Sequence, residues 1–252
     1  MNKILFLSNT ANFSKFNRPF MRWFREQGWQ VDYCSAGEEE VADCDRQFAI
    51  SIARSPFSLK NLRGLRQLRG ILASGNYQIL HCHPPMGGVL GRLAAYKLRK
   101  QGKLKVIYTA HGFHFYRGAP WVNWLLYYPV ERLLSSRTDL LLTINAEDHR
   151  RARTFHAGRT ELVNGVGIDL SRFSGADDER RAQVRRELGL KDGDVFAFTA
   201  GNLDPGKNQK TLIHAVKLLD DPQFHLVLAG NGPLRGELEE LARELGVDDR
   251  IH

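Results

Sequence analysis

The sequence predicts a doubly wound α/β protein in two units, on three observations. Short apolar runs alternate with helix-length patterns along all 252 residues, which is the signature of βαβ units around a parallel sheet. A glycine-rich stretch holding Gly165, Gly167 and Gly175 then interrupts regular structure before the alternation restarts. Charge changes sign at the same place, with 25 Lys and Arg against 13 Asp and Glu up to Gly175 and 11 against 15 after it. We therefore expect a first unit over 1–163, a linker over 164–175 and a second unit over 176–252.

Each element has its own signal. The opening MNKILFLSN carries one lysine and too brief an apolar run for a secretory signal, without a small-residue cleavage pattern, so it reads as a strand over 3–8. Further strands are expected at 30–34, 79–82, 106–110 and 140–144. Helices are expected between them at 16–27, 59–73, 87–100, 121–135 and 147–155. The second unit reads as helix 178–188, strand 195–200, helix 207–219, strand 225–229 and helix 233–245. Leu212, Ile213, Val216 and Leu219 share one face of its middle helix. Two strands cannot be covered on both faces, so a complete first Rossmann-like domain and a partial second one are expected, with apolar surface exposed on the latter.

Composition narrows the function classes. With 42% hydrophobic and 25% charged residues, neither disorder nor a disulfide scaffold fits. Cys34, Cys44 and Cys82 form no CxxC pair, and an odd number of thiols suits a reducing cytosol. The uncharged stretch 118–130 has 13 residues, short of the ~18 needed to span a bilayer. A basic first unit favours an anionic partner, whether phosphate, lipid headgroup or nucleic acid.

The densest polar cluster, His111-Gly112-Phe113-His114, follows the strand 106–110. Ligands of open α/β sheets bind beyond the carboxyl ends of the strands, and an imidazole there can bond a sugar hydroxyl or a developing phosphate charge. The competing reading is a turn histidine packed on Phe113 and Phe115; the functional one is favoured for His111 and the packing one for His114. In His81-Cys82-His83, alternation turns the cysteine away from both histidines, so the three cannot share a metal ion, and no metal site is expected.

In the second unit, Gly201-Asn202-Leu203-Asp204-Pro205-Gly206-Lys207 joins a strand to a helix. Free amides at the helix start and the Lys207 ammonium would suit a diphosphate, although a merely solvated lysine fits as well. It is not a Walker A loop, because Asn208 stands where the magnesium-binding hydroxyl belongs. The turn Gly230-Asn231-Gly232-Pro233 is expected to let a ligand approach its backbone. Lys60, Arg63, Arg66 and Arg69 recur beside Leu59, Leu62, Leu65 and Leu68, and Trp121, Trp124, Tyr127 and Tyr128 cluster after Arg117. Such surfaces suit shallow contact with anionic headgroups, and equally suit a solvated helix face over core aromatics. No RNP, KH or zinc-knuckle pattern accompanies them, so no nucleic acid is expected.

These residues resemble a known family. Gly88-Val89-Leu90-Gly91-Arg92-Leu93-Ala94, the run Tyr108-Thr109-Ala110-His111-Gly112-Phe113-His114-Phe115-Tyr116, Glu131-Arg132 and Thr143-Ile144-Asn145 look like bacterial family 4 glycosyltransferases of the retaining GT-B type, in their exopolysaccharide and capsule branch. Gly165-Val166-Gly167-Ile168-Asp169 with Phe173, and the segment 201–208, look like the entry to that family's nucleotide-sugar domain. The resemblance implies transfer of a sugar from a nucleoside-diphosphate donor, usually UDP-linked, to a lipid-diphosphate-linked saccharide at the cytoplasmic membrane face. It implies no metal. His111 matches the family histidine near the transferred sugar, and Lys207 the lysine that offsets charge on the leaving diphosphate; Gly201, Asn202 and Gly112 would lie beside the phosphates.

Three departures qualify the match. Asn202 stands where many relatives carry an arginine, and Asn9-Thr10-Ala11-Asn12 replaces a glycine pair, leaving Asn9 and Thr10 as acceptor-side candidates. The family's Glu-x7-Glu segment is not found by His252, so a chain with impaired transfer is expected. Alternatives are a noncatalytic membrane- or partner-binding relative, with Arg63, Arg66 and Trp121 on its docking side, and a nucleotide-sugar epimerase on the same fold.

Overall fold

The computed structural model describes residues 1–167, 175 and 177–252, and it divides into two compact units, residues 1–168 and 169–252. Of the expected linker over 164–175, residues 168–174, with Ile168, Asp169 and Phe173, lie outside the described residues.

Among the described residues of the first unit, seven strands form one parallel sheet: β1 (Lys3–Thr10), β2 (Gln30–Ala36), β3 (Arg46–Ala49), β4 (Ile79–Cys82), β5 (Lys105–Ala110), β6 (Leu140–Thr143) and β7 (Arg159–Leu162). Their order is β3-β2-β1-β4-β5-β6-β7. Strand order reverses between β1 and β4, the place where such sheets open a crevice at their carboxyl ends.

Alternation along β1 builds both layers of the core. Leu5 and Leu7 face a cluster with Leu68 and Leu72 of α2 (Lys60–Gly75) and Leu90 of α3 (Met86–Lys100). Ile4 and Phe6 face the opposite cluster, with Met21 of α1 (Arg18–Glu26). The unit is completed by α4 (Trp121–Ser135) and α5 (Ala146–Ala152).

The structure adds β3 and β7, which the sequence does not announce. Both are sheet edges, and they carry Arg46-Gln47 and Arg159-Thr160-Glu161 rather than apolar runs. Charged edge strands guard against edge-to-edge pairing, and that erases the hydrophobic signal. The helix expected at 16–27 starts later, because residues 11–16 form a 3-10 helix and Pro19 sits at the first turn of α1.

The second unit contains α6 (Asp178–Glu187), β8 (Val195–Ala200), α7 (Gln209–Leu219), β9 (Phe224–Ala229) and α8 (Arg235–Glu244). Strands β8 and β9 pair in parallel over a core of Leu203, Ile213, Val216, Leu226, Leu238, Ala242 and Val247. Val195 and Phe198 of β8 are exposed, as the pattern led us to expect. The helix expected from 207 begins instead at Gln209. Residues Pro205–Lys207 form a 3-10 turn and Asn208 takes a left-handed φ of 52°, a conformation asparagine tolerates.

Candidate active site

His83 follows β4 and His111 follows β5, neighbouring strands in register with Cys82 opposite Tyr108. That register carries both rings past the sheet's carboxyl edge, where His83 Nδ1 lies 3.1 Å from His111 Nε2. One strand over, the 3-10 helix after β1 supplies Phe13, whose ring meets His111 edge-on at 4.7 Å, and Phe16, at 5.9 Å. Phe113 and Phe115, the packing partners the sequence suggested for His111, instead stack on each other at 4.8 Å within the core. His114 stacks on Tyr127 at 4.6 Å. As alternation required, His81 shares His83's side: their rings are 4.5 Å apart, and His81 Nε2 lies 2.8 Å from Thr109 Oγ1.

Burial sets the charge of this cluster. It pushes His81 down to about 3, takes His83 well below the ordinary histidine value with help from its imidazole neighbours, and lowers His111 as well. Desolvation penalises the cationic form, so the three rings are neutral at neutral pH.

The loop bearing His111 is tied from below. Gly112 adopts a φ of 125°, which side chains resist. Phe113 N donates to Asp148 Oδ2 at 3.1 Å, and that same oxygen accepts from Asn145 Nδ2 at 2.7 Å. Asn145 Oδ1 in turn accepts from Asp148 N at 2.8 Å, capping α5. Under β5, the buried Arg92 guanidinium lies 3.9 Å over the Tyr108 ring and bonds Glu131 Oε2 at 2.9 Å, while Tyr108 donates to Glu131 Oε1 at 3.0 Å. This joins α3, β5 and α4.

Asp148 and Asn145, the latter quoted only for the family resemblance, were not read as site residues from the sequence, nor were Phe13 and the direct hydrogen bond between His83 and His111. The Asn-x-x-Asp spacing at 145–148 is a helix-start signature that could have exposed the first two. Asn9 has a structural task, since its Oδ1 accepts from Gly87 N at the start of α3 at 2.7 Å. Thr10 is exposed.

Arg63 and Arg66 are exposed on α2, where Leu59 and Leu62 also face solvent before Leu68 and Leu72 turn inward. A three-residue repeat on a 3.6-residue helix drifts around its axis, so the leucines begin outside and end in the core. On α4, Trp121 is 75% exposed, and Leu125 and Leu133 are exposed with it. No helix among the described residues is long and apolar enough to cross a membrane.

In the second unit, Lys207 is exposed and lays its aliphatic stem across Gly201, with Cε 3.7 Å from where a β-carbon would stand. Asn202 is exposed, and its carbonyl accepts from Gln209 Nε2 at 2.8 Å. The side-chain positions of Gly230 and Gly232 would fall 1.8 Å from Gly201 O and 2.3 Å from Leu203 O, so the close approach of the neighbouring turn by itself requires glycine at both.

Comparison with known proteins decides the family. The family described as Glycosyl transferase 4-like matches residues 3–145, and the one described as Glycosyl transferases group 1 matches residues 180–252. The chain belongs to the glycosyl transferase 4-like family. This family member is 42% identical over 254 residues to EpsD of Bacillus subtilis (strain 168), a protein assigned to the glycosyltransferases; the match takes in 99% of this chain and 66% of EpsD. It is 29% identical over 223 residues to UDP-Gal:alpha-D-GlcNAc-diphosphoundecaprenol alpha-1,3-galactosyltransferase of Escherichia coli, over 85% of this chain and 54% of that protein. The chain thus spans two thirds or less of the length of these curated relatives. Its fold is similar to that of HepE from Anabaena, solved with UDP-glucose, at a TM-score of 0.74 and 17% identity, over all of this chain and 68% of HepE. The fold is GT-B.

Proposed function

We propose that the protein carrying this sequence transfers a hexose, with retention, from a UDP-linked donor to a lipid-diphosphate-linked saccharide in cell-surface polysaccharide synthesis. The observation that carries the reading is His111, a neutral imidazole set at the carboxyl end of β5 beside the sheet's order reversal. The UDP-glucose in HepE and the undecaprenol-diphosphate acceptor named for the Escherichia coli relative support the donor and acceptor classes.

In this reading His111 bonds a hydroxyl or phosphate oxygen of the donor. Negative charge grows on the diphosphate as the sugar bond breaks. Lys207 and the first amides of α7 are assigned to offset it, so a metal ion is not needed. The acceptor hydroxyl attacks on the face the diphosphate leaves, and the departing phosphate takes its proton. The exposed Arg63, Arg66 and Trp121 are assigned to anionic headgroups at the cytoplasmic membrane face.

The test supplies radiolabelled UDP-sugars and a lipid-diphosphate saccharide in the presence of EDTA. Label should move to the lipid, with the anomeric configuration kept, and His111→Ala should abolish the transfer. An isomerised sugar formed without acceptor would replace this reading with the epimerase one. Flotation with anionic liposomes checks the surface: binding should fall with added salt and with Arg63→Glu and Arg66→Glu together, and equal binding by that variant removes the membrane assignment.

A further inference from the structure

Behind His111 lies a second imidazole that the transfer reading leaves without a task. His83 is buried, its Nδ1 sits 3.1 Å from His111 Nε2, and its Nε2 is buried with no hydrogen-bond partner among the described residues. His81 offers no relief, because its own Nε2 is engaged with Thr109. Both rings of the pair are neutral for the reason given above, so one proton lies between Nδ1 of His83 and Nε2 of His111.

The two ways of placing that proton differ at the orphaned atom. If His111 donates, the proton of His83 must sit on Nε2 as an N–H sealed from water. If His83 donates, the orphan is a bare lone pair, and the proton of His111 sits on Nδ1. Buried N–H groups without a partner are rarer in proteins than unfilled acceptors, which favours the second arrangement. His111 Nδ1 has no partner among the described residues, and the ring is partly exposed.

We propose that His83 is a positioning residue: it donates from Nδ1 to His111 Nε2 and thereby holds His111 as a hydrogen-bond donor at Nδ1. This rests on the assignment of His111 to the donor sugar-diphosphate and deepens it. An ionised phosphate oxygen accepts hydrogen bonds and has none to give, so only the Nδ1–H form of His111 can bond it. The edge-on contact with Phe13 fixes the ring plane, and His83 fixes which nitrogen carries the proton.

Long-range proton–nitrogen correlation spectra of the nitrogen-15 histidine-labelled chain at mildly alkaline pH read the tautomer directly, with the His111 signals assigned by His111→Gln. His111 should be protonated on Nδ1. In His83→Phe it should revert mainly to the Nε2–H form, whereas His83→Asn, whose amide nitrogen reaches about the same point as Nδ1, should retain the Nδ1–H form. Protonation of His111 on Nε2 in the unsubstituted chain overturns the proposal even if no variant folds, and so does an unchanged tautomer in a folded His83→Phe. No turnover is needed, so failure of the transfer assay and failure of this inference are separate results.

Discussion

His111 and Lys207 carry comparable duties in the proposed reaction but sit in opposite surroundings. His111 rests on a set of packed groups: His83 behind its ring, Phe13 at its edge, Asp148 under the amide of Phe113, and the Arg92–Glu131 pair below the strand that presents it. Lys207 is exposed, forms no ion pair among the described residues, and is steadied by its own methylenes lying over Gly201. A ring held against the core needs a built seat, because the polar groups buried behind it are costly to leave without partners. An exposed ammonium needs only a stem and water, so its seat can be short and local.

The contrast is broken most severely at Glu131. Glu131→Ala leaves the Arg92 guanidinium buried without its carboxylate, and breaking such a pair costs about 3–5 kcal/mol. Urea denaturation should show that loss in the first unit. A change below about 1 kcal/mol, within the range of exposed pairs, would mean that the His111 seat stands without it.

Acid sharpens the comparison next. His81, His83 and His111 have folded-state pKa values below their unfolded ones. As pH drops below the ordinary histidine value of 6.5, the unfolded chain takes up protons that the folded chain refuses. Stability is therefore fully present above that value and drains away on acidification toward about 3, the folded value of His81. Each fully buried histidine contributes about 1.4 kcal/mol per pH unit to the slope. Urea midpoints measured across this range should fall, and less steeply in His81→Phe; equal slopes in the two proteins would remove His81 from the account.

The smallest structural effect is expected at Lys207. Lys207→Ala should alter stability by no more than about 0.5 kcal/mol, as for other exposed positions. Binding of UDP, titrated by calorimetry, should weaken by about tenfold to a hundredfold, the equivalent of one charged hydrogen bond of about 1.5–3 kcal/mol. Unaltered affinity would take Lys207 out of the phosphate site.

How legible each seat was in the sequence follows from the same physics. The five apolar strands and the helices between them could be read because central parallel strands are buried on both faces and write continuous apolar runs. β3 and β7 could not, since edge strands answer to solvent. His111 was legible from its position after a strand. His83 was not, because its role depends on register with β5, which no local pattern encodes. In the second unit the close approach of one turn is a sufficient reason for Gly230 and Gly232. Close approach between distant segments looks, in one dimension, the same as room for a ligand.

That last contact has a mechanical corollary. Gly201 N bonds Ala229 O, Leu203 N bonds Asn231 O, and Leu234 N bonds Leu203 O, so the start of the turn leading to Lys207 is tied to the turn after β9. Neither can shift alone. A shift of residues 201–203 must carry the turn after β9 with it, whereas Lys207 follows the tied residues and is held locally, its N–H on Asp204 O.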